Sequence, residues 1–166
     1  MMLRTLYSRT KRNHGLEHAT LNLLHERFPY HSFAGHSDPL GFWIVGQISA
    51  PELTEIAQEA LEELRDGNRN LAMHSNCGTN LLTSGMMAGL AGLLGLIGTG
   101  GDRRRTLRRL PLVITLSTLA LIVSRPLGLH FQKEYTTSSE PGSLQITRVT
   151  THQQGQFTAH RIQTRD

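Results

Sequence analysis

Two stretches of the chain gather residue types that hold metal ions or move protons. The first is His14-Gly15-Leu16-Glu17-His18 and the second is His74-Ser75-Asn76-Cys77-Gly78-Thr79-Asn80. Residues four apart lie one above the other on a helix, so His14 and His18 can aim two imidazoles at one ion. Glu17 sits about 60° round from His14 on the same side, within reach of the ion or of a water on it. No Asp or Glu occurs from Gly67 to Gly101, so a third ligand in that stretch is His74 or Cys77. These two are spaced i, i+3 in a turn that leads into an apolar segment. A thiol at a helix N-terminus has its thiolate favoured by the helix dipole, and a metal deprotonates it outright. Gly78 permits tight backbone geometry there, while Thr79 and Asn80 offer caps and outer hydrogen bonds. Zinc, or another divalent transition metal, selects this donor set.

The composition agrees. Nine histidines accompany a single cysteine, which excludes an internal disulfide framework and any multi-cysteine zinc site. His25 lies seven residues beyond His18, about 10 Å along a helix and too far for the same ion. His31, His36, His130, His152 and His160 read as surface or strand histidines, and Phe42 and Trp43 as packing residues.

The elements that must position these groups follow from local pattern. A helix is expected from Asn13 to about Phe28, stopped by Pro29. Ser32 to Gly35 and Phe42 to Ile48 are β-prone runs around the turn His36-Ser37-Asp38-Pro39. Ser49-Ala50-Pro51-Glu52 has the form of a capping box. Leu53, Ile56, Ala57, Ala60, Leu61 and Leu64 follow at helical spacing, with Gly67 as the stop. The acidic residues of that helix form a solvated face. Near the C-terminus, Gln145 to Val149 and Phe157 to Ile162 alternate around Gln154-Gly155, as a β-meander able to pair with the earlier strands.

Length, charge and hydropathy bound the rest. The chain has 166 residues, a formal net charge of +4 and 38% hydrophobic residues. Its mean hydropathy is slightly negative, yet the apolar residues are concentrated in two uncharged blocks, Asn80 to Gly98 and Leu110 to Ser124. Between them lies Gly101-Asp102-Arg103-Arg104-Arg105-Thr106-Leu107-Arg108-Arg109. The blocks suggest a transmembrane helical hairpin, with Gly85, Gly89, Gly92 and Gly95 giving the first block small-residue faces for close helix contact, including a Gly85-xxx-Gly89 spacing. The alternative is a buried hairpin in a soluble oligomer. The second block spans only if Arg125 snorkels and the helix continues past Pro126. Five arginines in a short loop favour the cytoplasmic side, while seven Lys+Arg in the segment before the hairpin pull the other way. The Met1 to Asn13 segment is not a secretory signal, being basic and without an apolar core. The cationic loop lacks aromatic interleaving, so no nucleic-acid partner is expected. The resulting architecture is α+β: a small αβ domain over 1–78, a two-helix transmembrane hairpin over 79–128, and a C-terminal β segment over 129–166 packing on the first domain. The partners expected are membrane lipid, further copies of the chain, or a membrane protein complex.

Four segments carry a family resemblance: Arg12 to Thr20 (RNHGLEHAT), Ser37 to Gly46 (SDPLGFWIVG), Leu71 to Asn80 (LAMHSNCGTN) and Arg125 to Gly128 (RPLG). Together they resemble a family of small, uncharacterised bacterial membrane proteins, a domain of unknown function found largely in phototrophs. They are also similar to a second such membrane family with an early H-G-x-E-H and an H-P-x-C-G-T-S before its apolar helices. The order H-x-x-E-H further resembles the inverted zinc-peptidase motif. In that family the third ligand is a downstream acidic residue, and this chain departs from it. The resemblance implies membrane attachment and no established activity.

Two functional expectations result. An open site makes the protein a membrane-anchored zinc hydrolase, peptidase-like, with Glu17 taking a proton from water in the fourth position. A closed site of His14, His18, His74 and Cys77 makes it a non-enzymatic assembly subunit with a structural metal. A third, metal-free reading has Cys77 as a nucleophile activated by histidine.

Overall fold

A computed structural model describes residues 2–155 and 157–166, with all their side chains except those of residues 2–4 and 154. The chain divides into two compact units. One joins the residues up to His74 with Lys133–Asp166, and the other is Ser75–Gln132.

The first unit is α+β. Helix α1 runs Met2–Arg27, starting well before the expected Asn13. Nothing between Met2 and Asn13 breaks a helix. Its basic side chains are anchored across the fold, with Lys11 donating to the Glu134 carbonyl at 2.8 Å and Arg12 pairing with Asp166 at 2.7 Å. Strands β1 (Ala34–Asp38) and β2 (Gly41–Val45) form the hairpin, with its turn slightly later than the sequence suggests. Asp38 sets that turn by accepting the Leu40 N–H at 2.7 Å. Gly41 follows at φ +143°, and a Cβ on it would meet the Ile162 carbonyl at 2.0 Å, so only glycine fits.

Helix α2 (Ala50–Arg65) has the capping box of Ser49 and Glu52 and buries all six residues of its apolar stripe. The C-terminal strands β3 (Gln145–Gln154) and β4 (Phe157–Arg165) pair with each other, and β4 also pairs with β2. The antiparallel sheet therefore has the order β1-β2-β4-β3. The tail thus pairs with the earlier strands as expected, as a two-stranded hairpin whose last strand lies inside the sheet beside β2. Leu16, Ala19 and Leu24 of α1 meet the α2 stripe and Phe42, Ile44 and Ile162 of the sheet in one core. His160, expected as a surface or strand histidine, lies on β4, where it is buried with its Nδ1 3.0 Å from the Thr151 hydroxyl.

The second unit is two antiparallel helices, α3 (Gly78–Gly95) and α4 (Arg103–Phe131). The expected two-helix transmembrane hairpin is corrected here. Among the described residues one helix, Arg103–Thr136, is long and apolar enough to cross a membrane. Helix α3 is 18 residues long, about 27 Å, and places Thr79, Asn80, Thr83 and Ser84 in its first two turns. What remains is too short for a hydrocarbon core of about 30 Å. Helix α4 does continue past Pro126. Close contact between the helices is made by Gly92 and Gly95, where an added Cβ would meet Ser117 at 3.2 Å and Val113 at 2.9 Å. Of the four glycines expected to give contact faces, these two do so, while Gly85 and Gly89 have nothing within 4 Å. Ser84 and Ser124 are joined by a 2.7 Å hydrogen bond, polar glue typical of paired apolar helices.

Candidate metal centre

His14 and His18 share one face of α1, as their spacing requires. Their ring centroids are 4.2 Å apart, and a ligand atom of each lies within 4.8 Å of the other's. His74, at the end of the first unit, places its ring 5.7 Å from that of His18. Three imidazoles of one unit are therefore neighbours although the chain separates them by up to sixty residues.

Each ring is held by its Nδ1. The His14 Nδ1 lies 2.8 Å from the Thr136 carbonyl, the His18 Nδ1 2.9 Å from the Ala72 carbonyl, and the His74 Nδ1 2.9 Å from the Asn22 side-chain oxygen. A carbonyl oxygen can only accept, so Nδ1 carries the proton in each ring and donates it. In the neutral form the lone pair is then left on Nε2, the atom a metal binds. Asn22 is itself oriented, because its amide nitrogen donates to both the Leu71 and Met73 carbonyls at 2.9 Å. That leaves its oxygen facing His74.

Local sequence explains these anchors. The chain from Arg69 to Ala72 forms a single 3-10 turn after α2, which turns the Leu71, Ala72 and Met73 carbonyls toward α1. The Thr136 carbonyl ends a π-helical turn, Gln132–Thr136. Gly15 allows the chain after that turn to lie against α1, since a Cβ on it would stand 1.9 Å from the Ser138 carbonyl. Asn22, one helical turn beyond His18 on the same face, and Gly15 are the functional positions that motif spacing alone missed.

Glu17 is buried, at 4% exposure, and its carboxylate rests on β1. A Cβ at Gly35 would lie 2.4 Å from Glu17 Oε1, so that glycine makes the carboxylate's seat. Cys77 is a buried residue at the N-cap of α3, in the second unit. The structure thus brings His14, His18 and His74 together in the first unit, with Glu17 on the same helix, and places Cys77 three residues along the chain from His74. His25 stacks on His74 with centroids 5.6 Å apart and planes 3° from parallel, extending the row of rings toward the end of α1.

Away from this cluster, burial pushes the Asp38 carboxyl up. The Arg161 guanidinium at 2.8 Å and the Leu40 N–H outweigh it and hold the group below the usual carboxylate value. Burial lowers the His160 imidazole. Both belong to the sheet, where Arg161 also lies over the Trp43 ring at 5.3 Å.

Comparison with known proteins supplies a family. An uncharacterised protein of a Picosynechococcus species is 32% identical over 139 residues, which cover 75% of this chain. The chain spans 64% of that relative's length. No solved structure matches. Residues 9–149 match the model of a family described as a domain of unknown function, DUF6391, and with most of its length inside that match the chain belongs to this uncharacterised family.

Proposed function

We propose that the chain is a membrane-attached metal-binding protein in which His14 and His18 are the first two ligands of a divalent transition ion, with Cys77 or His74 completing the set. Zinc fits this mixture of imidazole and thiolate donors. The observation that carries the reading is the Nδ1 anchoring of three neighbouring histidines. Metal-binding imidazoles need such outer bonds, which fix the tautomer, aim the ring and raise its basicity.

Within that reading we favour a hydrolase, peptidase-like in its H-x-x-E-H order. A bound zinc ion supplies Lewis acidity and lowers the pKa of water. Glu17 provides the proton acceptor, held out of bulk solvent on the helix that carries both histidines. The Nδ1–H of His14 and that of His18 are each committed to a carbonyl, which leaves Nε2 as the atom either ring offers to an ion. The second reading is a structural site in a non-enzymatic assembly subunit. It is favoured by the count of donors, since His14, His18, His74 and Cys77 together would leave no open position.

The test is elemental analysis and peptide and ester hydrolysis by the full chain purified in detergent. One zinc per chain, with hydrolysis lost and metal kept in Glu17→Gln, supports the hydrolase. Metal with four protein ligands by X-ray absorption and no hydrolysis supports the structural site. Full metal content after His14→Ala overturns both.

A further inference from the structure

Helix α4 carries its charges very unevenly. Arg103, Arg104, Arg105, Arg108 and Arg109 occupy its first two turns, all exposed, and the next cation is Arg125. Asp102 is the only acidic residue among them. It is committed twice, capping the helix through the Arg104 N–H at 2.8 Å and pairing with Arg105 at 3.6 Å. Among the described residues, Arg103, Arg104, Arg108 and Arg109 have no carboxylate partner. Beyond them the helix is uncharged from Leu110 to Ser124 and mostly exposed, with Ile114 and Ile122 each 63% accessible.

Length decides what such a helix meets. From Arg109 to Arg125 is sixteen residues, about 24 Å of axis, while a bilayer's hydrocarbon is about 30 Å thick. A helix shorter than the core is accommodated by thinning the bilayer or by snorkelling of its flanking side chains. Arginine stems can cover several ångströms of apolar depth and deliver their guanidinium groups to the level of the lipid phosphates. Guanidinium binds phosphate bidentately, and with no internal acid to pair with, four of these five arginines are left for it.

We propose that the N-terminal end of α4 is a binding site for the headgroup phosphates of anionic phospholipids, with Arg103, Arg104, Arg108 and Arg109 as its ligands. The inference rests on reading α4 as the membrane helix and is independent of the metal centre. Phosphatidylglycerol is the simplest such lipid, because it adds a net negative charge that phosphatidylcholine lacks. Each arginine near an anionic surface strengthens association by about 5-fold.

The experiment reconstitutes the full chain into vesicles of phosphatidylcholine or of phosphatidylcholine with phosphatidylglycerol. Relative association is read from spin-labelled lipids of the two headgroups. The wild type is expected to prefer the anionic label by about 5-fold or more, falling with added salt as exposed charges are screened. Replacing Arg103, Arg104, Arg108 and Arg109 together by Gln, with Arg105 kept so that its pairing with the helix cap survives, should bring the ratio close to one. The matching Lys replacements retain charge and should retain most of the preference, which separates lost recognition from lost folding. A wild type that enters both vesicle types without preference overturns the site while leaving the membrane helix standing. A wild type that stays out of both overturns the membrane reading as well. Binding of duplex RNA that the Gln variant loses, without lipid preference, assigns the cluster to nucleic acid and overturns the proposal.

Discussion

Replacing Gly15 by alanine sets two physical effects against each other with opposite signs. Gly15 is inside α1, and helix propensity alone favours alanine by about 1 kcal/mol. The new Cβ, however, would stand 1.9 Å from the Ser138 carbonyl oxygen, where ordinary contact begins near 3.4 Å. The chain at Thr137 and Ser138 must therefore retreat by about 1.5 Å, and overpacking of this kind costs about 1–3 kcal/mol. The retreat also strains two hydrogen bonds, Ser138 N–H to the Lys11 carbonyl at 2.9 Å and His14 Nδ1 to the Thr136 carbonyl at 2.8 Å. Each is worth about 1 kcal/mol. The net expectation is a loss of about 2 kcal/mol, which in a chain of this size lowers the melting midpoint by about 4–8 °C. Trp43, the single tryptophan, reports unfolding of this unit by fluorescence. Gly85→Ala is the control, because it is also helical but has nothing within 4 Å, and its midpoint should not fall. Because Thr136 orients His14, cobalt titrated as a spectroscopic substitute for zinc should bind Gly15→Ala about 10-fold or more weakly. A midpoint that holds or rises would refute the close approach. A lowered midpoint with unchanged cobalt affinity would refute the link from the π-helical turn to His14.

Three further outcomes follow from the same geometry. Asn22→Leu removes the amide that bridges the Leu71 and Met73 carbonyls to His74, so cobalt affinity should fall about 10-fold; unchanged affinity would exclude His74 from the metal set. Gly35→Ala pushes the Glu17 carboxylate off its seat, so hydrolysis, where present, should drop while zinc content stays at the wild-type level; equal rates would remove Glu17 from the chemistry. For pH, His160 binds its proton less readily in the folded chain than in the unfolded one, so its contribution is present above about pH 6.5 and is lost as the pH falls. The Asp38 carboxylate, held low by Arg161, contributes above about pH 4 and loses that contribution as the pH falls through its folded value. Denaturant melts across pH should accordingly flatten between about pH 5 and 7 in His160→Phe and below pH 4 in Asp38→Asn, and profiles parallel to wild type would contradict both assignments.

What was legible in the sequence was whatever is encoded within one turn or one pleat. The α2 stripe and its capping box are local signals, and the helix appears with the expected six residues buried. The i, i+4 spacing of His14 and His18 is likewise local, and the two rings meet. The failures are non-local. His160 read as a surface or strand histidine; its place on a strand is local, but its burial is decided by β4 lying between β2 and β3, a register no nearby residue announces. Four glycines of α3 offered small-residue faces, but their spacing could not say that Gly92 and Gly95 would meet α4 while Gly85 and Gly89 have nothing within 4 Å. The apolar block before Gly98 read as a second span because it lacks charge. Its helix nevertheless opens with Thr79, Asn80, Thr83 and Ser84, which shorten the apolar part.

The same distinction explains why the histidine cluster became more informative once folded. Spacing could pair two imidazoles but could not say which nitrogen either would offer. That is fixed by carbonyls at Ala72 and Thr136 and by Asn22, groups that any sequence possesses or that carry no motif of their own. Three rings finding acceptors for the same nitrogen would be a coincidence for surface histidines, which water satisfies equally well on either side. For the proposed centre, which must present Nε2, it is a requirement, and it is met by the Ala72 and Thr136 carbonyls together with the Asn22 side chain.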